Sequence, residues 1–143
     1  MSRSNEGESL HSLLLNVNRE LAPFTHERLV PRRSGDNASY TLYFRRPARL
    51  ARNLYFVVRH YCAMRGAALD TTGYHYAFED ADGKEIIVYH WHPASPVTGP
   101  HLHIGAGANA GRPELSRVHL PTGQITWPDV LWFLREFTSA GVS

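Results

Sequence analysis

Apolar residues recur at helical spacing in two places, one near each end of the chain. Between residues 9 and 21, Leu10, Leu13, Leu14, Val17 and Leu21 follow the i, i+3, i+4, i+7 period of one helix face, and Pro23 ends it by lacking an amide hydrogen. Near the C-terminus, Val130, Leu131, Leu134 and Phe137 repeat that period behind Thr126-x-x-Asp129, a capping box with Asp in place of the usual Glu or Gln. Both patterns predict amphipathic helices.

Between them the period is two. Ser39 to Arg45 alternates Tyr40, Leu42 and Phe44 with Thr41, Tyr43 and Arg45, after the turn-forming Ser34-Gly35-Asp36-Asn37. Residues 49–65 fit both periods: Leu50, Leu54, Val57, Tyr61 and Met64 suit a helix, and Leu54, Phe56, Val58, His60 and Cys62 suit a strand. The run Tyr55-Phe56-Val57-Val58 favours a strand from about Asn53 to Cys62. A hairpin follows, with Tyr74, Tyr76 and Phe78 on one face, His75 and Ala77 on the other, and a turn at Asp80-Ala81-Asp82-Gly83. In the returning strand, Lys84 to His92, His90 and His92 share a face with Ile86 and Val88. A loop of about two or four residues puts His75 with His90, and one of about three separates them. Pro93 to Gly111 reads as loop with a short strand near His101-Leu102-His103, and Arg117 to Leu120 as one more short strand. This order predicts an α+β fold: a single domain, 1–143, with an antiparallel sheet of about five strands, an N-terminal and a C-terminal helix, and flexible ends at 1–8 and 139–143.

Composition narrows the setting. A chain of 143 residues with 43% hydrophobic and 20% charged side chains has material for one core and too little charge excess to stay disordered. No apolar run reaches the roughly 18 residues that cross a bilayer, and Met1 to Ser9 lacks a signal peptide's apolar middle, so no membrane is expected. Cys62 is the single cysteine, which excludes an internal disulfide and the Cys-x-x-Cys zinc and redox motifs and makes a cytoplasmic location the expectation. Near His60 on an apolar strand, it reads as an inert buried thiol. Charge is unevenly spread: residues 1–65 hold eleven arginines against five acids, a net +6, and the remainder four bases against eight acids, a net −4. Clustered arginine suits a phosphate-bearing partner, although a solvated basic surface has the same composition.

Six of the nine histidines lie between His75 and His119, four of them in the pairs His90/His92 and His101/His103. On a strand, His-x-His points two imidazoles to one side, which suits a metal ion or two titrating groups near one substrate. No cofactor is required by the sequence; a divalent metal, if present, would use His90, His92, His101 and His103, with a further carboxylate ligand from Glu79 or Glu114 as the nearest candidates. Without metal, one histidine as base and another as acid, with arginine on the phosphate oxygens, suffice to cleave RNA, whose 2′-hydroxyl is an internal nucleophile. Arg45, Arg46, Arg52 and Arg59 are the candidate phosphate ligands, and Tyr74, Tyr76 or Trp91 could stack on an unpaired base or form a core face. Gly105 to Gly111 suits either close approach to a phosphate or a connector, and His11 and His26 read as incidental surface residues. Dinucleotide, Walker, Gly-x-Ser-x-Gly and His-Glu-x-x-His signatures are absent.

The stretch Tyr74-His75-Tyr76, Asp80-Ala81-Asp82-Gly83, Ile86 to Tyr89, Pro93, Pro96 and Pro100-His101-Leu102-His103-Ile104-Gly105 resembles the TumE-like family of toxin–antitoxin proteins. The resemblance implies a compact α+β ribonuclease toxin, with RNA as substrate and a helix-turn-helix antitoxin, encoded nearby, as partner; a homodimer stays open. It carries over Tyr74, Tyr76, Pro100, His101 and His103, while His90 and Arg59 come from the residue pattern. Where the family has an Asp-Asn pair after the strand tyrosine, this chain has His90-Trp91-His92. The expected catalytic set is His101, His103, His90, Tyr74 and Tyr76. Two rival readings are a non-catalytic partner-binding protein, antitoxin-like or regulatory, and a metal-dependent hydrolase of a small substrate.

Overall fold

A computed structural model describes residues 6–34, 38–92, 99–108 and 111–140. The chain runs α1 (Glu6–Leu21), β1 (Val30–Arg33), β2 (Ser39–Tyr43), β3 (Ala48–Arg49), β4 (Tyr55–Arg65), β5 (Ala68–Glu79), β6 (Glu85–Trp91), β7 (His101–Ile104), β8 (Leu120–Pro121) and α2 (Trp127–Ala140). One antiparallel sheet in the order β1-β2-β4-β5-β6-β7-β8, with β3 beside β4, makes the fold α+β with a helix at each end. No described helix is long and apolar enough to cross a membrane.

Eight strands stand where the periodicity predicts about five. Those missed are short: β1 is Val-Pro-Arg-Arg, an edge strand that tolerates Pro31, and β3 has only two residues. The ambiguous stretch 49–65 resolves into the end of β3, a tight turn at Ala51–Asn53 in which Arg52 and Asn53 take left-handed φ, and β4, a strand that begins and ends slightly later than expected. α1 and α2 begin and end inside the stretches expected to be flexible, and 1–5 and 141–143 lie outside the described residues, as does Gly35-Asp36-Asn37 of the predicted turn.

Alternation assigns the two faces. Tyr40, Leu42, Phe44, Phe56, Val58, Tyr74, Tyr76 and Phe78 are buried on one face, where Val17 and Leu21 of α1 and Trp127, Val130, Leu131 and Leu134 of α2 pack on it. Thr126 N and Oγ1 both donate to the Asp129 Oδ2 carboxylate, at 2.8 and 3.0 Å, completing the predicted cap of α2. The loop before β4 is tied to the end of that helix. Arg52, at a left-handed φ of 58°, lies over the Phe137 ring at 4.3 Å and donates to the Phe137 carbonyl.

His60 belongs to this helix-covered face. Its Nδ1 is 2.6 Å from the Tyr76 hydroxyl and its Nε2 3.3 Å from Thr71 Oγ1, with the Trp127 ring beside it. Burial holds its pKa down at about 4, against an ordinary 6.5. Above that ordinary value both folded and unfolded imidazoles are neutral and His60 withdraws no stability. As pH falls below it, the unfolded chain takes up a proton that the folded one refuses, until about pH 4. At pH 5 the loss from this group alone is expected to be about 2 kcal/mol. Urea unfolding at pH 7.5 and 5 should give a steeper fall for the wild type than for His60→Gln; equal falls would mean that His60 is not the buried neutral group described.

Candidate functional site

Neither α-helix covers the other face of the sheet, and its chemistry follows from strand register. Tyr43 pairs with Arg59, Arg59 with His75, His75 with His90 and His90 with His101. Directly paired residues share a face, so these five side chains form a row across five strands, β2, β4, β5, β6 and β7. One step along, Val57, Ala77, Val88 and His103 form a second row. His119, just before Leu120, which pairs with Leu102, extends that row beyond β7.

The hairpin achieves this alignment against the simple parity rule. Glu79 pairs with Glu85 across a loop of odd length, residues 80–84, but a register shift at Phe78/Glu79 restores His75 to His90. Asp80 Oδ1 accepts from the amides of Asp82 and Lys84, both at 2.9 Å, and Gly83 supplies φ 80°. Beyond β7 the chain folds back tightly. Gly105 N donates to Ile86 O at 2.9 Å, and a Cβ on Gly105 would overlap the Glu85 carbonyl oxygen. This glycine serves close backbone packing at the start of β6, not a phosphate.

His90, His101 and His103 each bring one ring nitrogen within 4.8 Å of the others. His90 Nδ1 is 3.4 Å from His101 Nε2, and His101 Nδ1 is 3.0 Å from the Gly99 carbonyl oxygen. A carbonyl only accepts, so His101 Nδ1 carries the hydrogen and, in the neutral ring, its Nε2 presents a lone pair to the cluster. His101 is buried at 3% exposure, which fixes this ring in place. The His119 ring centroid lies 4.4 Å from that of His103 and 5.0 Å from that of His101. His75 flanks the other side, 5.9 Å from His90.

Burial is the largest cause of depressed pKa values here, and neighbouring cations-to-be add to it. His103 is held at about 4 by burial, then His119, His101 and His90; His75 at about 4 by burial, then Arg59, His90 and His103. His90 is lowered by burial, then by His101, His92 and His119. At neutral pH these three rings are therefore neutral, able to accept protons or to ligate a metal. His75 Nε2 lies 3.8 Å from Glu85 Oε2, and with its pKa so low that contact is no ion pair at pH 7.

A cleft of about 350 Å³ opens over the cluster, lined by His75, Glu85, Val88, His90, His103 and Ser116 among others. A second, of about 390 Å³, lies at the other end of the row between Arg32, Arg45, Arg46, Arg59, Tyr43 and Glu79. Four of the eleven arginines of the basic half thus meet in one place. Burial, followed by Glu85 and Asp80, raises the Glu79 pKa, and Arg59 opposes the rise.

Several sequence expectations are corrected. Tyr74 and Tyr76 are fully buried on the helix face, away from the histidine row; the Tyr74 hydroxyl accepts from Ile125 N at 2.9 Å, and Tyr76 holds His60. Burial raises both phenol pKa values. Arg52 is spent on α2, while Arg45, Arg46 and Arg59 stay together. His92 is exposed, edge-on to Tyr61 at 6.1 Å, and is outside the ligand-like group. Neither Glu79 nor Glu114 supplies the third group, since Glu114 pairs with Arg112 at 2.7 Å and the third member is a histidine. His119 lies inside Arg117 to Leu120, the stretch expected as a short strand; the strand instead starts at Leu120, after a 3-10 turn at Pro113–Arg117, and its pairing of Leu120 with Leu102 is what brings His119 to the site. Cys62 is buried, its pKa raised to about 11 by burial, as an inert thiol requires. Pro93 and Pro96 lie outside the described residues. Comparison with family models, curated proteins and solved structures gives no match.

Proposed function

We propose that the chain is a ribonuclease acting as the toxin of a toxin–antitoxin pair, with His90, His101 and His103 at its chemical centre. The observation that carries this reading is the row Arg59-His75-His90-His101 on the sheet face that the two helices leave uncovered, with clustered guanidinium groups at one end and clustered imidazoles at the other. An RNA strand laid along it has its backbone held by Arg45, Arg46 and Arg59 and one phosphate against the histidines. In the reaction the 2′-oxygen bonds to phosphorus and the bond from phosphorus to the 5′-oxygen breaks. A base takes the 2′ proton and an acid protonates the departing oxygen, leaving a cyclic phosphate and a 5′-hydroxyl. The histidine cluster serves this chemistry through proton transfer or a bound divalent ion. The resemblance to TumE-like toxins supports the same reading and adds a helix-turn-helix antitoxin as partner.

Arg59 is the best single probe of the strand path, being in register with the histidines. Arg59→Ala is expected to weaken binding of a labelled single-stranded RNA and to reduce the salt slope by about 0.7, the share of one phosphate contact. An unchanged slope would remove Arg59 from the path. Induced expression tests the function as a whole: growth arrest with early RNA fragments supports it, and folded protein without either contradicts it. In that event partner binding without catalysis gains weight, since Leu15 of α1 and Trp132 of α2 stand 51% and 50% exposed.

A further inference from the structure

We infer that His90, His101 and His103 form a binding site for one divalent transition-metal ion, of which Zn²⁺ is the chemically best suited. His90 Nδ1 and His101 Nε2 are already 3.4 Å apart. That is close to the roughly 3.3 Å edge of a tetrahedron whose nitrogens lie about 2.0–2.1 Å from zinc. The third nitrogen, from His103, is within 4.8 Å of both, inside the reach of side-chain rotation on a fixed strand. The Gly99 carbonyl takes the Nδ1 hydrogen of His101 at 3.0 Å, the outer contact that in metal sites orients a ligating imidazole and directs its other nitrogen inward.

The ligand set also selects the ion. Imidazole suits Zn²⁺, Cu²⁺, Ni²⁺ and Fe²⁺, whereas Mg²⁺ and Ca²⁺ want oxygen, and no carboxylate joins the group among the described residues. Three protein ligands leave a coordination position open, as in catalytic rather than structural zinc sites, and two of the three, His90 and His103, line the cleft that also holds His75 and Ser116. His92 and His119 stand outside the set: His92 lies against Tyr61, and His119, itself exposed, sets its ring edge-on to those of His101 and His103. What the ion does to RNA rests on the proposed ribonuclease function; that it binds does not.

Cobalt chloride titrated into the chelator-stripped full chain tests this, because four-coordinate Co²⁺ gives strong visible bands. One Co²⁺ per chain, displaced by Zn²⁺, is expected. His90→Ala and His103→Ala should each weaken binding by about 100-fold or more, beyond the 10–100-fold loss of an outer contact, and His92→Ala and His119→Ala should stay short of about 10-fold. Circular dichroism of each variant separates a lost site from a lost fold. Absence of saturable Co²⁺ or Zn²⁺ binding by folded wild type, or undiminished binding in folded His90→Ala and His103→Ala, overturns the inference. Such an absence in a protein that still cleaves RNA overturns the inference while leaving the ribonuclease reading in place. Stoichiometric metal without RNA cleavage by the loaded protein upholds the site and overturns the ribonuclease reading instead.

Discussion

Alanine at both His101 and His103 is expected to lower RNA cleavage by about 10³-fold or more, since loss of positioned proton transfer alone costs about 10²–10⁴-fold. The two residues differ in how much fold they carry. His101 is buried at 3% exposure and holds the Gly99 carbonyl, so its loss leaves a cavity and an unpaired acceptor, at a cost of about 1–3 kcal/mol. His103 is half-buried at the edge of the cleft, and His103→Ala should fold with little penalty while losing most of the activity. Activity is therefore to be compared per folded molecule, by unfolding midpoint and cleavage rate on one preparation. His92→Ala, outside the cluster, should cleave at the wild-type rate; an equal loss there would mean that the site extends along the whole His90-Trp91-His92 segment.

Tyr76 provides the second large effect, and it is one of stability. Its ring is fully buried against Tyr74, Trp127 and Phe56, and its hydroxyl lies 2.6 Å from His60 Nδ1. Tyr76→Ala is expected to cost about 3–5 kcal/mol, the usual range for removing a buried aromatic ring. Tyr76→Phe keeps the packing and removes one hydrogen bond, leaving His60 short of a partner, for about 1–3 kcal/mol. Cleavage by folded Tyr76→Phe should match wild type, because the hydroxyl lies on the helix-covered face. A Tyr76→Phe protein with native stability and no activity would instead restore the catalytic role that the sequence pattern suggested.

The two tyrosines illustrate how far the pattern of the chain reaches. Strict alternation in Tyr74-His75-Tyr76 correctly separates the tyrosines from His75, but it does not say which face the helices will cover. That choice is made by the apolar stripe of α1 and α2, which selects the face of Phe56, Val58, Tyr74, Tyr76 and Phe78. The two helices and the central hairpin are legible because they are long and periodic. Strands of two to four residues, such as β1 and β3, have too few positions to express a period and form because a neighbour offers an unpaired edge.

The site was legible in its members and not in its assembly. His90, His101 and His103 stand out as His-x-His pairs, and clustered arginine marks the basic end. The alignment of Arg59, His75, His90 and His101 depends on a register shift at Phe78/Glu79 inside the hairpin, which local sequence does not encode strongly. His119 joins through the return of β8, and Arg52 leaves the set because the C-terminal turn of α2 captures its guanidinium. Long-range pairing decides each of these.

The most direct test is incubation of the purified chain with an end-labelled single-stranded RNA, alongside His101→Ala/His103→Ala protein verified as folded. Discrete fragments from the wild type, absent with the double variant, are the predicted result. The same fragments from both proteins, or intact RNA with folded, metal-supplied wild type, would contradict a histidine-centred ribonuclease on the open face of the sheet.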